Sequence, residues 1–148
     1  MDPLITLQTA AAIVDATLQA GRRGGLQPLA VVVLDAGGHD VALKREDGCA
    51  FLRARIARGK AWGALGMGLD SRALGSRAEQ NPRFFAALAA LADGQVIPNA
   101  GGVLIRNAAG RLFGAVGVSG DQAERDESVA RDALRALGLL PEVDAAPP

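Results

Sequence analysis

"GAVGVSGDQAERDESVA", residues 114–130, decides the fold, because it runs as a strand through a turn of small residues straight into a charged helix. Gly114 and Gly117 remove side chains from the strand, where another group approaches closely. Ser119 and Gly120 then open the helix. Asp121, Glu124, Asp126 and Glu127 fall in its first two turns, where carboxylates favour the helix dipole. Asp121 and Glu124 have the D-x-x-E spacing of a capping box. The free N–H groups of such a helix start are either satisfied by these residues or offered to a ligand carboxylate or phosphate. No Gly-Lys-Ser/Thr follows, so this is not a P-loop.

Upstream, "GGVLIRNAAGRLFG" (101–114) supplies the partner strand through a turn at "NAAG" (107–110). A second hairpin lies nearer the start. "PLAVVVLD" (28–35) is β-branched and apolar on both faces, as in a central strand. "AGGH" (36–39) turns, and "DVALKRED" (40–47) returns. Helical spacing places Ala10, Ile13, Val14, Thr17, Leu18 and Gly21 on one face of a first helix capped by Thr6. A second helix runs over 47–68 with Asp47 as its cap, a third over 81–94, and a last from about Asp121 to Leu137. Residues 69–82 are irregular or hold a short helix, and Val96 and Ile97 suit an edge strand. The order is helix, hairpin, helices, hairpin, helix. No connection suits a parallel crossover, so the reading is α+β, an antiparallel sheet with helices on one face.

The totals narrow the function. A chain of 148 residues suits one domain over 1–140, followed by a mobile tail at 141–148. Sixteen basic and sixteen acidic residues cancel, which leaves no patch for nucleic acid or a membrane surface. The start lacks the basic and apolar segments of a signal peptide, so the expected location is cytoplasmic. One cysteine and one histidine exclude an internal disulfide and a zinc site within the chain. Only 3% of residues are aromatic, so the core rests on Ala, Val, Leu and Ile. Self-association would recover the buried area that such side chains lack.

Four places carry candidate chemistry. Arg45 lies on the side of Val41 and Leu43, partly buried, so it either pairs with Asp47 to lock the turn or holds a ligand carboxylate. Lys60 sits on the apolar side of the second helix, where it either snorkels or binds an anion. His39, at a hairpin tip, is the one residue able to titrate near neutrality or ligate haem iron through nitrogen. The fourth place is the turn at Ser119 and Gly120.

Taken together, "AVVVLDAGGHDVALKREDG", "RIARGKAWGAL" and "GGVLIRNAAGRLFGAVGVSGDQAERDESVA" resemble the GlcG/HbpS-like family, also found as the C-terminal domain of PduO proteins. The resemblance implies a five-stranded antiparallel sheet with helices packed on it, assembled as a dimer or higher homo-oligomer. It also implies a haem or related tetrapyrrole ligand, in a carrier, sensor or haem-degrading protein. The chain departs from the family pattern in "GGVLI", where Gly-Gly-x-Pro-Ile is commoner. It also lacks a histidine in the first helix and any tyrosine. Axial ligation would then fall to His39, Cys49, Met67 or a neighbouring subunit. A second reading is a cofactor-independent enzyme or binding protein for a small anionic metabolite. There Arg45 and Lys60 hold a carboxylate, Ser119 and Gly120 donate hydrogen bonds, and Glu124 or Asp126 acts as general base. A third is an oligomeric accessory protein without chemistry.

Overall fold

Residues 5–140 are described by the computed structural model, and the tail expected at 141–148 lies outside them. Four antiparallel strands form the sheet: β1 (Ala30–Asp35), β2 (Asp40–Arg45), β3 (Gly102–Arg106) and β4 (Leu112–Ser119), in the order β2-β1-β4-β3. Five helices accompany them: α1 (Leu7–Arg23), α2 (Leu52–Met67), α3 (Ser71–Gln80), α4 (Pro82–Leu91) and α5 (Ala123–Ala136).

The unbroken burial of β1 explains the layering. Its side chains alternate, so a strand buried at every position from Ala30 to Leu34 needs cover on both faces. Val31, Val33, Val103, Ile105, Val116 and Val118 meet Ile13 and Val14 of α1 and Val129 and Leu134 of α5. Val32, Leu34, Leu104 and Ala115 meet Ala57, Ala61 and Ala64 of α2. Helices thus lie on both faces, not on one as the element order suggested.

The seat of α2 on β4 explains the strand glycine. A Cβ at Gly117 would collide with the Ala57 carbonyl, so the residue lets helix backbone approach sheet backbone. Gly59 and Gly63 do the same for the segment after α4, against Ile97 and Val96.

That segment also corrects the strand number. Four strands form among the described residues, not five, because Ile97 donates its N–H to the Gly59 carbonyl (3.2 Å) and lies across α2 instead of along the sheet. The outer edge of β3 is taken by the start of α3. Leu104 donates to Asp70 Oδ1 (2.9 Å), and Gly102 donates to Ser71 Oγ (2.7 Å). Side chains therefore occupy the edge where another strand would add.

Two helix starts also differ from the sequence reading. Thr6 caps α1 as expected, accepting from the Thr9 N–H (3.0 Å). Asp47 does not cap α2, which begins five residues later with Phe51 at the N-cap. Asp121 and Glu124 form no capping box, since α5 begins at Ala123 after Gln122. No described helix is long and apolar enough to cross a membrane.

Candidate functional site

The turn from β4 to α5 closes on itself. Asp126 is fully buried; its Oδ1 accepts the Asp121 N–H (2.9 Å), while Asp121 Oδ1 accepts the N–H of Gln122 (2.7 Å). Asp121 Oδ2 accepts the Gln27 N–H (2.8 Å). The N–H groups of Asp121 and Gln122 that lead into the helix are thereby spent within the chain. At Gly120, a side chain would run into the Pro28 carbonyl.

Below the turn lies Lys60, 2% exposed. Its Nζ donates to the Val118 carbonyl (2.9 Å) and faces Asp126 Oδ2 at 3.3 Å. Burial pushes the Lys60 ammonium below its ordinary range, against the pull of Asp126. Burial likewise pushes the Asp126 carboxyl up, opposed by the Asp121 N–H and Lys60. Ser119 is buried beside the pair and accepts from Arg53 Nη1 (3.3 Å). Ser119, Gly120, Lys60 and Asp126 are thus brought together, as the anion reading expected, but Lys60 and Asp126 face each other in a sealed space.

Glu124 stands apart, exposed on the rim of a cleft of about 490 Å³ between α3, residues 98–100 and α5. Beside it runs a network that the sequence did not disclose. Arg72 grips Glu127 with Nη2 at 2.6 Å and Nε at 2.9 Å, and Arg131 links Glu127 (3.3 Å) to Asp70 (2.7 Å). Burial raises Glu127, but the bonds from Arg72 and Arg131 outweigh it and hold the carboxyl below its ordinary range.

Arg45 and Asp47 line a groove under α1 with Leu18, Arg22 and Lys44, and Arg45 lies one strand across from Ser119, both being paired with Ala30. Arg45 is exposed, not partly buried, and donates to the Cys49 carbonyl (2.6 Å) instead of to a carboxylate. The acid that locks this turn is Glu46. Its Oε1 accepts the Leu29 N–H (2.8 Å), and its Oε2 pairs with Arg22 (3.0 Å). Cys49 is buried, and burial pushes its thiol up despite Arg45 and Arg53 nearby.

His39 occupies the β1–β2 turn, its side chain 81% exposed. Asp35 Oδ1 accepts the N–H groups of Gly37 (2.9 Å) and His39 (3.0 Å) and faces His39 Nδ1 at 3.2 Å. Burial raises the Asp35 carboxyl, but these bonds together outweigh it and bring the group below its ordinary range. Nε2 of His39 has no partner among the described residues. Arg58 ties the turn to α2, donating to Asp40 Oδ1 (2.8 Å) and the Gly38 carbonyl (3.1 Å). From there a cleft of about 370 Å³ runs along α2, with apolar walls from Leu52, Ile56 and Ile97 and guanidinium groups from Arg55 and Arg58. Met67, 36% exposed, lies at the far end of α2. No group of three metal-ligating side chains gathers among the described residues.

A family model described as haem degrading protein HbpS-like matches residues 5–135. The fold is shared with solved structures. The PduOC:haem complex is 24% identical, covering 90% of this chain and 95% of that one, with a TM-score of 0.80. HbpS is 25% identical, covering 93% of each chain, with a TM-score of 0.79. The Klebsiella pneumoniae protein ORFY, of family DUF336, is 25% identical, covering 95% and 96%, with a TM-score of 0.83. No curated protein matches the chain.

Proposed function

The chain belongs to the HbpS-like family, described as haem-degrading, and from that premise we propose that it binds haem at its surface with His39 as the axial donor. The observation that carries this reading is the Asp35–His39 contact. A ligating histidine works best when its second nitrogen is held by a carboxylate, which fixes the tautomer and raises the basicity of the free nitrogen. Asp35 faces Nδ1 at 3.2 Å and leaves Nε2 to solvent.

The neighbouring residues fit the rest of a tetrapyrrole. Arg58 is fastened to the same hairpin, and Arg55, one turn away, makes no hydrogen bond or ion pair among the described residues. Both are suited to propionate carboxylates. Leu52, Ile56 and Ile97 offer apolar surface between them. No described cleft encloses His39 itself, which makes this an open site. Bound haem supplies redox and oxygen chemistry; the protein's part is to hold the iron ligand and the propionate charge.

Haem titration of the purified chain, followed by absorbance, tests the reading. A saturable Soret shift is expected, lost in His39→Ala and weakened in Arg55→Ala. Asp35→Asn should retain the band with lower affinity, about 10–100-fold as for other carboxylates behind a ligating histidine. A full shift retained in His39→Ala would move ligation to Met67 or another donor and defeat the assignment. No saturable shift in the wild type would defeat haem binding altogether.

A further inference from the structure

Trp62 is the sole tryptophan of the chain. A tryptophan that serves only a core buries its ring and pairs its N–H. Trp62 does neither in full. It stays partly exposed where it packs against the cluster of Val32, Leu34 and Ala61, and its indole N–H makes no hydrogen bond among the described residues. Leu65 and Leu112 stay partly exposed against the same cluster, so the indole lies at an apolar margin and not among charges.

The β1–β2 turn brings this ring to His39. A methyl group on Gly37 would meet the His39 ring at 2.9 Å, and one on Gly38 would meet the indole at 3.0 Å. Two adjacent residues without side chains thus let an imidazole and an indole close on one turn. Arg58 donates to the Gly38 carbonyl (3.1 Å) and stands four residues before Trp62, on the same side of α2. One imidazole, one flat aromatic face and one guanidinium therefore converge on Gly38.

The combination selects a chemical class. An indole offers a flat apolar face for stacking, and a guanidinium beside it suits a carboxylate carried at the margin of the stacked ring. The indole N–H is one more donor. A planar aromatic macrocycle with acid side chains uses all three groups, whereas a small aliphatic anion uses the guanidinium alone. We propose, resting on the tetrapyrrole reading above, that Trp62 is the platform on which the ring lies, so that the site takes an iron-free porphyrin as well as haem. The two aromatic residues then have separate roles. His39 adds a bond only where the ring carries iron, and Trp62 separates a porphyrin from anions that have no aromatic face.

Protoporphyrin IX, which lacks iron, separates those roles when titrated into the full chain and followed by its own fluorescence. It should bind the wild type saturably. It should also bind His39→Ala, in which the Soret shift that ligation gives haem is lost. Trp62→Leu should weaken protoporphyrin IX and haem alike by about tenfold, the size of one aromatic stack, while bound haem keeps its Soret maximum because His39 still ligates. Trp62→Phe, which keeps a ring, should recover most of the affinity. A readout on the wild type needs no variant to fold: the sole indole N–H gives one resonance in a proton–nitrogen spectrum. The ring current of diamagnetic protoporphyrin IX should move that resonance upfield at saturation. An indole resonance that stays in place at saturation would overturn the proposal, as would a Trp62→Leu chain that binds protoporphyrin IX at full strength. Haem bound through His39 with no protoporphyrin IX bound would overturn the platform and leave the His39 reading standing. A Soret shift kept in full in His39→Ala and weakened in Trp62→Leu would do the reverse.

Discussion

Asp126→Ala gives the sharpest reading of how this molecule is held together. The substitution leaves the Lys60 ammonium 2% exposed with only the Val118 carbonyl as partner, and it strips the Asp121 N–H of its acceptor. Removing one member of a buried ion pair costs roughly 3–5 kcal/mol, because the other charge stays buried without compensation. For a chain of this size that is roughly 6–20 °C in Tm. Replacing both members with apolar residues of similar volume, Lys60→Met with Asp126→Leu, should cost less than Asp126→Ala alone, since no charge is then stranded. Urea unfolding of the two singles and the double gives the coupling directly.

The pH dependence carries its own sign. Asp126 titrates higher in the folded chain than in the unfolded one, so folding takes up a proton and stability falls as pH rises from the ordinary aspartate range through the folded value. Lys60 titrates lower when folded, so stability recovers as pH climbs through its folded value toward the ordinary lysine range. Asp126→Asn should remove the first limb and leave the second. A loss under about 1 kcal/mol in Asp126→Ala, below the range for a broken buried pair, would refute the description of Lys60 and Asp126 as mutually dependent.

Glu127 has the opposite sign. Held below its ordinary range by Arg72 and Arg131, it contributes stability above the unfolded glutamate value and loses it as pH falls through the folded one. Glu127→Gln should therefore flatten the acid side of the stability profile measured in urea. Gly117→Ala drives a methyl into the Ala57 carbonyl and should cost about 1–3 kcal/mol, the range for overpacking, by thermal unfolding. A neutral Gly117→Ala would mean that α2 shifts freely on the sheet.

The hairpins and helices were legible because their signals are local. β1 announced itself by an apolar run too continuous for a one-sided strand, and that same run implied the second helical layer, which the element order hid. The strand number was not legible. Val96 and Ile97 have strand composition, but their place is set by glycines at 59 and 63 in a helix more than thirty residues earlier. The caps at Asp47 and Asp121 failed for a similar reason: both residues match a local pattern, and at Asp121 the chain had a better use for the carboxylate across the fold, on the Gln27 N–H.

The site divided along the same line. His39 stands out as the sole histidine, and its partner Asp35, four residues earlier in "DAGGH", carries no sequence signal of that contact. In that turn the carboxylate collects the N–H groups of Gly37 and His39, and the ring follows the backbone into place. Helical spacing puts Lys60 on the apolar side of its helix, to snorkel or to bind an anion, and puts Asp126 in the first turns of the last helix, as a dipole carboxylate or a general base. They stand sixty-six residues apart in sequence, and only the seating of α2 under β4 makes them each other's counter-ion. Buried charge therefore means different things at the two places. Lys60 is a charge that the fold has already answered, whereas Nε2 of His39 and the guanidinium of Arg55 have no partner among the described residues, which is why the proposed ligand is placed there.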